Sequence, residues 1–123
     1  LPADDQAAVA CLRIDLYTAL GQTSRSVAVG LDYLRQHLGI DWSPHPGDED
    51  ARREYARIWL QLGSRTIDDL VELPLMRDQA SLAALDVLTN LVSAVWQTDA
   101  NLACRAICGA VNLSLERGHS SSI

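Results

Sequence analysis

Three groups of residues in this chain have the types and spacing from which chemistry starts. The first is Cys104 and Cys108 in the run CRAIC. Four residues apart, they share one helix face, and two thiolates there would make half of a zinc site. Zinc wants four ligands, and no histidine or further cysteine accompanies the pair; Cys11 is far away in the chain. A disulfide between positions i and i+4 of a helix is awkward, and an odd cysteine count argues against a secreted framework. Free cysteine behaves as a small buried hydrophobe. The three therefore read as packing residues in a reducing cytoplasm, with no metal site.

The second group is His119 with Ser114 and Ser120 close by. A serine nucleophile needs a base, a carboxylate to orient that base, and donors for the oxyanion. Neither the carboxylate nor an oxyanion loop accompanies them. His37 and His45 are remote and pair with no nucleophile. All ten basic residues are arginine, so the phosphate-binding lysine of a P-loop, the strand lysine of a kinase and any Schiff-base lysine are excluded. GxGxxG, HExxH and GxSxG are also missing. No catalytic or cofactor-binding residue is assigned, and the segment itself is not expected to be an enzyme.

The third group is Asp86 and Asn90, one turn apart in an otherwise apolar stretch, together with Trp59 and Trp96. These four are the candidate lining of a pocket between helices. Aromatic residues at helical spacing are more often core than ligand cage, so the pocket stands as the alternative reading.

The elements that must position these residues are helices. At 123 residues and a formal charge of −6, the chain is one domain of ordinary size, with the wrong sign for a general nucleic-acid binder. With 48% apolar and 21% charged residues it is globular, and no run of 18 apolar residues crosses a membrane. The start, LPADDQ, has no leader character and reads as a cut from a longer protein. Positions 4–38 predict a helical hairpin. In its first helix Ala8, Cys11, Leu12, Leu16, Ala19 and Leu20 recur at helical spacing; in its second Val27, Leu31, Leu34 and Leu38 form one face. Gly21 and Gly39 mark the helix ends. A proline-rich turn at 41–47 follows, with Trp42 expected to fold back on the hairpin. Further helices are predicted at 48–62, 66–72, 79–97 and 100–117. Tyr55, Ile58, Trp59 and Leu62 are the expected buried face of the 48–62 helix, with Trp59 and Tyr55 anchoring it to the central 79–97 helix. The result is an all-α chain of about six helices.

The helix–glycine–turn pattern of LYTALGQTSRS is echoed in LSLERGHSSS, in the manner of tetratricopeptide-like hairpins. From about Gly21 onward, with LGI before the proline turn, DDLVELPLM and NLSLERGHS as the most specific parts, the chain resembles a helical region of large bacterial signalling proteins. These join a serine/threonine-kinase-like domain, an AAA-like ATPase, a helical region, a GAF domain and often a sensor histidine kinase. The resemblance implies a cytoplasmic, non-enzymatic interaction or signal-relay module built of antiparallel tetratricopeptide-like hairpins. Its partners would be other domains of the parent protein or a separate protein. None of the family's catalytic motifs falls in this segment. The alternative is a helical small-molecule sensor domain. The last helix carries Val111, Leu113 and Leu115 with no second helix of its own after it. A homodimer through residues 101–117 is therefore also expected.

Overall fold

The computed structural model describes residues 3–66 and 79–117. Among these there are five α-helices and no strand: α1 (Ala3–Ala19), α2 (Thr23–Leu38), α3 (Asp48–Leu62), α4 (Gln79–Val95) and α5 (Ala100–Arg117). The short helix expected at 66–72 falls almost wholly outside the described residues. The chain is all-α.

Local sequence explains the helix ends. Gly39 takes φ +67, a conformation open to glycine without a Cβ penalty. Its N–H donates to the Arg35 carbonyl at 3.1 Å, and the Ile40 N–H donates to the Leu34 carbonyl at 3.2 Å, so the last turn of α2 is closed. Asp50 accepts the Gly47 N–H at 3.1 Å at the start of α3. That bond, helped by Arg53, holds the Asp50 carboxyl below the usual carboxylate range. Asp99 accepts the Leu102 N–H at 3.0 Å and so caps α5.

The helix α4 is apolar on most of its circumference because it lies at the centre, touching α1, α2 and α5. Leu85, Val87, Leu88, Leu91 and Val95 are all buried on it. Gly30 lets α2 approach closely; a Cβ there would lie 3.0 Å from Leu91 Cδ1. The α1–α2 hairpin is tied by a buried polar knot. Ser26 Oγ donates to the Ile14 carbonyl at 2.9 Å, Thr18 Oγ1 donates to the same carbonyl at 2.7 Å, and the two hydroxyls lie 2.8 Å apart.

Neighbours in space do not follow the chain order. α3 packs on α5, on the far side from the α1–α2 hairpin. Trp42 packs against the core that the hairpin helps to build and is held there by α5: its half-buried ring lies against Gly109, under the Arg105 guanidinium at 4.9 Å.

Two expected faces are corrected by this packing. On α1 the buried residues are Ala7, Ala10 and Ile14, and Leu12, Leu16 and Leu20 face outward. Small alanines allow close approach to α2 and α4, which already supply the large leucines. On α3 the interface is polar. The buried Asn112 of α5, 1% exposed, donates to the Glu54 carbonyl at 2.9 Å and to Glu54 Oε1 at 3.0 Å. It accepts from Gln61 Nε2 at 2.8 Å, while Asn101 donates to Asp48 at 2.8 Å and Arg57 pairs with Glu116. Glu54 therefore turns inward. Tyr55 and Trp59 turn outward, so neither anchors α3 to the central helix.

Candidate functional site

The four residues of the candidate pocket do not converge. Asn90 faces α1, donating to Asp15 Oδ1 at 2.8 Å and lying 3.5 Å from the Cys11 carbonyl. Asp86 is on the same flank of α4, close enough to act on the Cys11 thiol. Trp59 is 59% exposed on α3, in edge-to-face contact with Tyr55 at 6.1 Å. Trp96, 64% exposed, lies past the end of α4, beside a shallow hollow of about 310 Å³ lined by Ala100, Ala103, Cys104, Ile107 and Cys108. Asp86 and Asn90 thus serve the α1–α4 seam, and the two tryptophans stand apart, Trp59 on α3 and Trp96 in the turn after α4.

Cys104 and Cys108 lie with their sulfurs 4.0 Å apart, unbridged. Burial pushes the Cys108 thiol up to about 11, with the neighbouring Cys104 and the Glu54 carboxylate adding to the effect. Cys11 is raised to about 11 by burial and then by Asp86 and Asp15. A thiol this weakly acidic is a poor nucleophile and a poor metal ligand at neutral pH. Among the described residues no group of three or more histidine, cysteine or acidic side chains is placed to hold a metal ion. His119 and Ser120 lie outside the described residues; Ser114 is buried and donates to the Ala110 carbonyl at 2.9 Å.

The expected open strip on the last helix is covered. Leu113 is buried and Val111 and Leu115 are half-buried, because α3 and α4 flank α5. Ile107 is the large apolar residue left exposed there.

The outward face of α1 is different. Val9, Leu12, Leu16 and Leu20 are three, four and four residues apart and so form one stripe. All four are exposed, Leu12 to 70%. With Ala7, Ala10 and Ile14 buried on the other side, α1 is apolar on two opposite faces, and the fold covers one. Helices apolar all round are normally covered all round.

Beside this stripe lies an open groove of about 410 Å³ between α1 and α2. Tyr17 forms part of its wall, and two guanidiniums approach that one ring: Arg13 at 5.9 Å from the centroid and Arg25 at 5.7 Å. The arginine ion pairs among the described residues use Arg35, Arg53 and Arg57; neither Arg13 nor Arg25 takes part. Asp32, at the groove's other end, is neutralised by Arg35. His37 stacks on Tyr33 at 4.3 Å there. Two cations that form no ion pair among the described residues thus flank the apolar stripe of an acidic protein. The sequence shows both arginines and all four stripe residues, but their apolar neighbours read as core, so the surface is not legible before folding.

Fold and surface together define an all-helical chain with an uncovered apolar helix face. No family model, curated protein or solved structure matches the chain.

Proposed function

We propose that this chain is a helical interaction module whose docking element is the outer face of α1. The observation that carries the reading is the stripe Val9, Leu12, Leu16 and Leu20, exposed along the helix opposite a buried alanine–isoleucine face. Contiguous exposed apolar surface of this kind marks interaction sites, and a helix face presenting residues at i, i+3, i+7 and i+11 suits a second helix. The packing of α1 on α2 and of α4 on α5, each pair joined by a short turn, supports reading them as hairpins of a tetratricopeptide-like stack. The resemblance to large bacterial signalling proteins supports a relay role between kinase/ATPase and sensor modules, without catalysis by this segment.

The test is fluorescence anisotropy with a labelled amphipathic peptide of leucine heptads, titrated with wild-type protein and with Leu12→Ser/Leu16→Ser. Saturable binding to the wild type, lost in the double variant, is the expected result. Equal binding to both proteins overturns the reading, as does no binding to either by a protein that sediments as a monomer.

A further inference from the structure

We infer that the occupant of the α1 face is an amphipathic helix of a partner protein whose polar flank is acidic, held by Arg13 and Arg25. This rests on the docking reading above and adds the chemistry of the partner.

The stripe from Val9 to Leu20 runs for about 16 Å of helix axis at about 1.5 Å per residue, three turns, the length over which a short helix can lie alongside. Apolar contact of this sort fixes affinity but selects poorly; charges on the flanks of a helix pair select the partner. Here one flank carries Arg13, and the neighbouring helix brings Arg25 to the same Tyr17 ring. Neither is neutralised by an ion pair among the described residues. In a chain of net charge −6, Arg13 and Arg25 thus set two exposed cations, in no ion pair among the described residues, on one flank of the leucine stripe. Guanidinium also favours carboxylate geometrically, offering paired N–H donors to its two oxygens. Tyr17 holds both guanidiniums near the groove, which lowers the entropy cost of engaging a carboxylate.

The charge argues against a second copy as the occupant. In a symmetric antiparallel pairing of two α1 helices, the two-fold axis sets the same flank of each copy together. Arg13 of each copy would then share one side of the pair, a like-charge contact that an acidic partner replaces with an attractive one.

The test uses two labelled peptides of about fourteen residues with identical leucine positions a and d, one with glutamate at e and g and one with lysine. Each is titrated by anisotropy at low and high salt with wild type, Arg13→Gln/Arg25→Gln and Leu12→Ser/Leu16→Ser. All four positions are exposed, and urea midpoints check that the variants remain folded. The expected result is tighter binding of the glutamate peptide, by about tenfold or more. That preference should disappear in the arginine variant and shrink at high salt; the leucine variant should bind neither peptide. Equal binding of the two peptides, lost only in the leucine variant, overturns the acidic-partner inference and leaves the docking reading standing. If neither peptide binds, sedimentation decides what falls. A dimer abolished by Leu12→Ser/Leu16→Ser gives the stripe to a second copy and overturns the inference alone. A monomer overturns both.

Discussion

Gly109 of α5 sits directly beneath the ring of Trp42: a Cβ at that position would come within 2.7 Å of Cη2 and 3.1 Å of Cζ2. On the other side the ring meets the Arg105 guanidinium. The only tryptophan in the proline-rich turn is thereby clamped onto a helix some sixty residues further along the chain. A glycine in mid-helix ordinarily costs about 1 kcal/mol relative to alanine, and here it makes room for an indole.

Gly109→Ala should therefore destabilise the protein by about 1–3 kcal/mol in urea titration, because the steric penalty outweighs the gain in helix propensity. The clash requires the ring, so Gly109→Ala made on a Trp42→Ala background should be neutral or stabilising. Additive effects of the two substitutions would show that Gly109 and Trp42 do not bear on each other.

Asn112→Ala removes the centre of the α3–α5 interface. It leaves Gln61 Nε2 without its 2.8 Å acceptor and the Glu54 carboxylate without its 3.0 Å donor. A loss of about 2–3 kcal/mol is expected. Since α3 leans chiefly on α5, the loss should be local. Amide hydrogen exchange should speed up in α3 while the buried amides of α2 and α4 keep their protection. Uniform loss of protection across all helices would mean that α3 is not a separable unit.

How much of this was legible beforehand follows from what each residue's neighbours supply. Gly21, Gly39 and Gly63 mark the helix ends because each takes a positive φ, a property of the residue itself. The central position of α4 is readable because Leu82, Ala84, Leu85, Val87, Leu88, Leu91, Val92 and Val95 cover more than one face and leave solvent only the narrow stripe of Asp86, Thr89 and Ser93. Faces were misread where the chain departs from apolar-inside. On α3 the inward residues include Glu54 and Gln61, whose burial depends on a single asparagine more than fifty positions away. On α1 both faces are apolar, and periodicity alone does not say which of them the fold covers. The candidate pocket failed for a related reason: Asp86 and Asn90 are polar because α1 lies alongside them, and the two tryptophans belong to other surfaces.

The thiols give a pH dependence with a definite sign. Cys11 and Cys108 are both raised from 9.0 to about 11 in the folded chain. Between those values the folded state holds protons that the unfolded state has released. The stabilisation is fully present below pH 9 and is lost as pH rises towards 11. Urea midpoints of the wild type should fall more steeply over that interval than those of Cys11→Ala/Cys108→Ala. Alkylation by iodoacetamide at pH 7.5 should likewise be slow at these two positions until the protein unfolds. Rapid labelling of Cys108 in the native state would overturn the assignment.

Trp59 gives the sharpest contrast between sequence and fold. Buried against the central helix, its truncation to alanine would cost about 3–5 kcal/mol through the cavity left behind. With 59% of the residue exposed and Tyr55 beside it at 6.1 Å, no closed cavity forms. What is lost is part of one edge-to-face contact and some covered surface of α3, about 1 kcal/mol or less. The fluorescence of the folded protein should agree. Acrylamide should quench the emission of Trp59 and Trp96 efficiently and that of Trp42, held between Gly109 and Arg105, less so, which single-tryptophan variants can resolve. A Trp59→Ala loss above about 3 kcal/mol would place the ring in the core, and α3 would then have to be turned so that Tyr55 and Trp59, and not Glu54 and Gln61, face α5.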